Sequence, residues 1–405
     1  MLPAARACCR RRLTASAARS FAAPAHRHRQ AFSSAGDDSS NRQPDHAVIF
    51  SGIQPTGVPH LGNYLGAMRQ WRDLQSRAGP ADKLIFSIVD LHAITMPQDP
   101  EALRYRRREM LAALLAIGLN PEKCTLFYQS SVMQHTELMW ILSCTASMGY
   151  LSRMTQYKDK VMAANQAGDL GEAVSARLKL GLFSYPVLQA ADILVHRATH
   201  VPVGEDQRQH LEFARECVTN FNNAYSTDLL VSPETITTPA SRVMALNNPL
   251  KKMSKSSPNE RSRILITATP QEIEKRIMSA VTDSLNEVTY EPLDRPGVVN
   301  LLELIAQCER PSPAITNTRT RTRKTAEDIA DELRGATLGD LKTRCARAVK
   351  AELEGVRERF AELLVRHGGK YLDDVEAAGA EVARRNAEET MRAVRDVVGF
   401  ATMRR

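Results

Sequence analysis

Residues 84–89, Leu-Ile-Phe-Ser-Ile-Val, form a run that is too short for a helix and too continuously apolar for a half-wet strand. A chain can bury such a run on both faces by placing it inside a parallel sheet with helices above and below. The flanking segments fit that solution. Residues 47–50 (Ala-Val-Ile-Phe) and 124–128 (Cys-Thr-Leu-Phe-Tyr) are further short apolar strands. Between the strands, Leu61, Leu65, Met68, Trp71 and Leu74 recur at helical spacing, and so do Leu103, Met110, Leu111, Leu114 and Leu115. Strand alternating with helix predicts an α/β fold with a doubly wound parallel sheet.

The rest of the chain divides by pattern. Residues 51–59 are rich in Gly and Pro and read as a tight loop. Residues 135–180 read as helical, with a glycine-containing loop near 168–171. Residues 200–204 look like the end of another strand, followed by a helix containing residues 209–217. Beyond about residue 270 the chain is almost wholly helical in pattern, so a domain boundary is expected within 259–269. A length of 405 residues suits about two domains. Residues 318–324, Thr-Arg-Thr-Arg-Thr-Arg-Lys, read as an exposed loop. No apolar run reaches the roughly 18 residues that a membrane-spanning helix needs.

The formal charge of +8 first suggests nucleic acid, but its location changes the inference. Residues 1–36 hold seven arginines and no Asp, Glu or Lys, which leaves about +1 for the body. A leader rich in Arg, Ala and Ser and poor in acids fits a mitochondrial transit peptide, here expected over residues 1–45. The cysteines at 124, 144, 217, 308 and 345 are scattered and form no C-x-x-C pair. They are expected to be single buried thiols rather than zinc or redox ligands.

Three segments carry chemistry. The first runs from strand through loop into helix: Phe50-Ser51-Gly52-Ile53-Gln54-Pro55-Thr56-Gly57-Val58-Pro59-His60-Leu61-Gly62-Asn63. A helix N-terminus presents unpaired N–H groups to an anion such as a triphosphate. His60 and Asn63 can donate hydrogen bonds to phosphate oxygens, and Gly62 lets a flat ring approach the backbone. The second is Lys252-Met253-Ser254-Lys255-Ser256, where two lysines can clamp a phosphate chain and meet charge that develops on leaving pyrophosphate. The third, residues 181–194, places one carboxylate, Asp192, in an apolar and aromatic stretch. An indole ring has a single N–H donor, and a buried carboxylate acceptor would select it over a phenyl ring.

The first two segments together resemble the paired H-I-G-H and K-M-S-K-S signatures of class I aminoacyl-tRNA synthetases. The second signature is intact. The first departs from the pattern at Leu61 and Asn63, and the Asn form is usual in the tryptophan-specific branch. The third segment, with Val201-Pro202-Val203-Gly204-Glu205-Asp206-Gln207, resembles the tryptophanyl-tRNA synthetase family.

That resemblance implies a Rossmann-like catalytic domain over residues 46–260 and a helical anticodon-binding domain over 261–405. It implies ATP contacts from Gln54, His60, Leu61, Gly62, Asn63, Gly204, Glu205, Asp206, Val243, Lys252, Met253, Ser254, Lys255 and Ser256. Tryptophan contacts are implied from Asp192, Tyr185, Gln189, Gln207, His92 and Phe50, with Gln189 standing where bacterial members often carry Met. It further implies ATP with Mg2+, L-tryptophan and tRNA(Trp) as reactants, a homodimer, and work in the mitochondrial matrix. Residues 148–151, Met-Gly-Tyr-Leu, are a candidate for either interface or core. Three other readings share parts of the pattern: a tyrosyl-tRNA synthetase, a nucleotidyltransferase for a small cofactor, and an inactive RNA-binding relative.

Overall fold

The computed structural model describes residues 46–155, 179–204, 207–237, 242–255, 257–309 and 324–401. The expected glycine loop near 168–171 and the 1–45 leader lie outside these residues, as does most of the 318–324 stretch.

Strand β1 (Val48–Ile53) leads into helix α1, which comprises an α turn at Leu61–Asn63, a π segment at Tyr64–Met68 and an α segment at Arg69–Arg77. The apolar run becomes β2 (Lys83–Ile88), buried at every position but Lys83. A short helix α2 (Asp90–Ala93) and the long α3 (Pro100–Ala116) lead to β3 (Thr125–Tyr128). Helices α4 (Gln134–Ser143), α5 (Met148–Arg153) and α6 (Leu180–Leu194) precede β4 (His200–Val203). Helix α7 (Arg208–Ala224) then leads to β5 (Glu234–Thr237), a strand the sequence pattern did not announce.

The sheet order is β3-β2-β1-β4-β5, with every pairing parallel. This is the expected doubly wound arrangement. The chain winds outward from β1 through β2 to β3, then returns and winds the other way through β4 and β5. The crevice at the carboxyl ends of β1 and β4 is therefore the topological switch point, where such sheets bind ligands.

Side chains alternate across the sheet as the strand period requires. Ile49, Leu84, Phe86, Ile88 and Leu126 enter one hydrophobic core, and Val48, Phe50, Ile85 and Phe127 enter the other. The first core is sealed by Trp71, whose ring stacks on Phe86 with centroids 4.7 Å apart.

After β5 comes an antiparallel hairpin, β6 (Met244–Ala245) and β7 (Asn248–Lys252). The second signature thus follows a separate two-stranded ribbon rather than the last strand of the main sheet. Helices α8 (Pro270–Met278), α9 (Pro296–Cys308), α10 (Ala326–Glu332), α11 (Leu338–Glu352), α12 (Val356–Val365) and α13 (Lys370–Val397) complete the chain. Thr269, Thr325 and Thr337 start three of them with capping boxes closed by Glu272, Asp328 and Asp340.

These later helices share both cores with the sheet. Ile273, Leu301, Leu341 and Leu372 lie in the core with Leu61 and Leu111. Helix α13 rounds the β3 edge of the sheet. Its Leu372 and Val375 join the first core, and its Ala380, Ala383, Ala387, Met391 and Val394 join the second. At the crossing point a side chain on Gly379 would overlap the Leu126 carbonyl, so only glycine allows the helix to lie this close. The exposed sheet edge is thereby covered.

Of the five cysteines among the described residues, four are buried as expected. Cys144 is exposed, because it ends α4 on the solvent side. Among the described residues, no helix is long and apolar enough to cross a membrane.

Candidate active site

A cavity of about 350 Å³ opens at the carboxyl ends of β1 and β4. Its lining includes Phe50, Gln54, His92, Tyr185, Gln189, Asp192, Gly204 and Gln207, eight of the residues singled out in the sequence. They arrive from β1, α2, α6 and the turn after β4, elements that only the sheet topology brings together.

Asp192 forms the floor. It is 1% exposed. His135 Nδ1 donates to its Oδ1 at 2.7 Å, His92 Nε2 donates to its Oδ2 at 3.0 Å, and Gln129 Nε2 donates to both oxygens at 2.7 and 2.8 Å. Burial alone would raise this carboxyl, but the hydrogen bonds from His135 and His92 outweigh it and hold the group at about 2. Asp192 is thus an ionised acceptor. Gln129 is itself oriented, because its Oε1 accepts the Leu91 backbone N–H at 3.1 Å, which turns its amide nitrogen toward Asp192.

A carboxylate offers about four lone-pair sites, and these contacts occupy them. An incoming N–H donor must take the place of one partner. Only His92 among the three lines the cavity.

The walls are aromatic and amide-rich. The Tyr185 ring stands edge-on to His92 at 6.2 Å, and its hydroxyl lies 2.7 Å from His210 Nε2. Burial pushes the Tyr185 phenol up to about 12. Gln189 Nε2 donates to Gln207 Oε1 at 3.3 Å, so two of the expected amino-acid contacts already touch each other.

The first signature also holds its own helix turn together. His60 is 4% exposed. Its Nδ1 accepts the Asn63 backbone N–H, and Asn63 Oδ1 accepts the His60 N–H, each at 3.2 Å. The two signature side chains therefore cap the helix for one another. The Leu61 N–H is also taken, by the Ile264 carbonyl at 2.7 Å. Burial first, then the charges of Lys255, Arg263 and Lys252, lower His60 to about 4. The ring is neutral at physiological pH, and with Nδ1 accepting, its proton sits on Nε2.

Leu61 and Met253 point into the core, so neither side chain faces a ligand. A side chain on Gly62 would meet the His60 ring at 3.0 Å and Val243 at 3.5 Å, so Gly62 lets these two groups converge. Met253 N–H donates to the Val243 carbonyl at 3.0 Å, which ties the lysine loop to the same spot.

The two signatures meet directly. Lys255 Nζ donates to the Gly57 carbonyl at 2.6 Å and to Thr56 Oγ1 at 3.1 Å. Gly57 turns with φ +89°, a conformation that suits glycine. The stretch from Gln54 to Gly57 consequently borders the switch-point cavity at one end and the lysine loop at the other. Lys252, the last residue of β7, is exposed, and Ser254 is half-buried beside it. Glu205, Asp206 and Ser256 lie outside the described residues.

Gln129, His135, His196 and Asn386 escaped the sequence reading. Gln129 had a usable signal, because it follows directly on the carboxyl end of an apolar strand, where α/β sheets place ligands. The other three had none.

The family of tRNA synthetases class I (W and Y) matches residues 42–354. The chain is 42% identical over 362 residues to the mitochondrial tryptophan–tRNA ligase of Schizosaccharomyces pombe, covering 88% of this chain and 96% of that one. It is 41% identical over 360 residues to the mitochondrial tryptophan–tRNA ligase of Saccharomyces cerevisiae, covering 87% and 91%. The crystal structure of tryptophanyl-tRNA synthetase from Mycoplasma pneumoniae superposes with a TM-score of 0.73 at 29% identity, covering 88% and 98%. With its doubly wound sheet, switch-point cavity and paired signatures, the chain belongs to the class I tRNA synthetases of the tryptophan and tyrosine group.

Proposed function

We propose that this protein activates L-tryptophan with ATP to tryptophanyl-adenylate and transfers the tryptophanyl group to the 3′ end of tRNA(Trp). The observation that carries this reading is the buried, ionised Asp192 at the floor of the switch-point cavity. An acceptor without a proton of its own discriminates for an aromatic ring that bears an N–H. The indole N–H takes the place of His92 at Oδ2, and Phe50 and Tyr185 flank the ring. Gln189 and Gln207 lie where the amino and carboxyl groups would emerge.

The tryptophan carboxylate attacks the α-phosphate, and pyrophosphate leaves. No side chain acts as a covalent nucleophile, so catalysis is positioning plus electrostatic stabilisation. Lys252 and Lys255 meet the charge that accumulates on pyrophosphate. Val243, Gly62 and Gly204 border the nucleotide. Mg2+ enters with ATP as part of the substrate. Among the described residues, no cluster of three or more His, Cys, Asp or Glu side chains could hold a metal on its own.

The names of the two fungal relatives and the arginine-rich residues 1–36 support a mitochondrial site of action, with the matrix as the compartment. The helices after residue 261 serve the anticodon end of the tRNA. A homodimer completes the proposal, with the exposed Met148 and Trp140 as candidate contacts.

Pyrophosphate exchange with each of the twenty amino acids tests the activity. Exchange with tryptophan alone is expected. Exchange with tyrosine and not tryptophan would replace the reading by a tyrosyl enzyme, and no exchange at all would leave a binding protein.

A further inference from the structure

Asp192 is the near end of a buried chain that leaves the cavity. His135 Nδ1 lies 2.7 Å from Asp192 Oδ1, His196 Nε2 lies 3.3 Å from His135 Nε2, and Asn386 Oδ1 lies 2.8 Å from His196 Nδ1. His135 and His196 are buried. Phe50 stacks on the His196 ring at 5.7 Å, and Phe127 meets it edge-on at 5.9 Å. The far end, Asn386, sits on α13, the helix that rounds the sheet edge.

Counting protons along this chain gives one answer. A carboxylate only accepts, so His135 Nδ1 carries a proton. A carbonyl oxygen only accepts, so His196 Nδ1 carries a proton. If both rings were neutral, two bare Nε2 lone pairs would face each other. One further proton must lie between them. Burial, aided by His135, drives His196 down to about 3, so His196 does not hold it. His135, hydrogen-bonded to the Asp192 carboxylate, is the ring placed to take it. Gln129, which donates to both oxygens of Asp192, is an uncharged amide.

We propose that Asn386 is a positioning residue for the amino-acid pocket: its carbonyl oxygen sets the proton pattern that makes His135 an imidazolium and keeps Asp192 an ionised acceptor. The part concerning tryptophan affinity rests on the tryptophan-activating reading above; the proton pattern does not. Without the Asn386 oxygen, His196 moves its proton to Nε2 and donates it to His135. His135 then falls to the neutral form, and Asp192 loses its charged partner.

Two measurements on the full-length protein test this. In 15N-histidine NMR of the wild type, His135 is expected to be protonated at both nitrogens and His196 at Nδ1 only. A His196 protonated at Nε2 overturns the proposal, whatever the substrate proves to be. In pyrophosphate exchange, Asn386→Leu is expected to raise the tryptophan KM about tenfold, the difference between a charge-assisted and a neutral partner. Its kcat should change by less than about twofold, because ground-state and transition-state binding are lost together. Asn386→Asp, which keeps an acceptor, is expected to restore the KM. A folded Asn386→Leu with wild-type KM overturns the proposal. If Asn386→Leu does not fold, the wild-type NMR pattern decides. Absence of tryptophan exchange in the wild type would sink the functional reading and leave the NMR result to judge the proton pattern alone.

Discussion

Lys255 Nζ lies 2.6 Å from the Gly57 carbonyl oxygen, which joins the two signatures across 198 residues of sequence. The contact places a cation over the loop between the switch-point cavity and the capped helix.

Burial lowers the Lys255 ammonium from 10.5 to about 8; Glu109 opposes the shift, and Arg106 and Arg263 add to it. The charge is present below about pH 8 and lost above it. The kcat/KM for ATP should therefore fall on an alkaline limb with an apparent pKa near 8 in the free enzyme. Lys255→Ala should lower kcat by about 10²- to 10³-fold, the usual cost of one preorganised electrostatic donor. Pyrophosphate exchange across a pH series reads both, and a flat alkaline limb would remove Lys255 from the rate.

Asp192→Ala should raise the tryptophan KM by at least about 10²-fold, since the acceptor for the ring N–H is gone. It should also destabilise the fold by about 3–5 kcal/mol, because His135 and Gln129 stay buried without their partner. The carboxyl is held below its ordinary 3.8, at about 2. Its stabilising contribution is therefore complete above about 4 and lost as pH falls through about 2. Asp192→Asn should flatten the acid limb of the unfolding free energy. Urea titrations at stepped pH show whether it does.

His60 separates into two roles. Its Nδ1 caps α1, and its Nε2–H is left as a donor. His60→Asn keeps a capping group, so the melting temperature should hold while ATP affinity drops. His60→Ala should lose about 1 kcal/mol of stability as well. Equal ATP KM values for wild type and His60→Asn would confine His60 to the cap.

Gly379→Ala drives a methyl group into the Leu126 carbonyl. The helix must shift away from β3, at a cost of about 1–3 kcal/mol or more. Because the same helix carries Asn386, this variant should raise the tryptophan KM while sparing the ATP KM. Calorimetry and the two KM values check it, and a wild-type melting temperature would show that the helix does not depend on this contact.

Local patterns by themselves determined the parallel sheet, the two signatures and the singular carboxylate. A continuous apolar run has one economical burial, and lysines or a lone Asp in an apolar stretch stand out against their neighbours. Eight expected site residues do line one cavity. Tertiary structure alone decided that His60 and Asn63 face each other as a cap, that Leu61 and Met253 fill core, and that α13 rounds the sheet edge. It also decided what surrounds Asp192. His135 is 57 residues from Asp192, His196 is 61 from His135, and Asn386 is 190 from His196, so these partners are neighbours only in space. Hydrogen-bond partners set a buried group's charge, and those partners come from separate elements that sequence spacing does not connect.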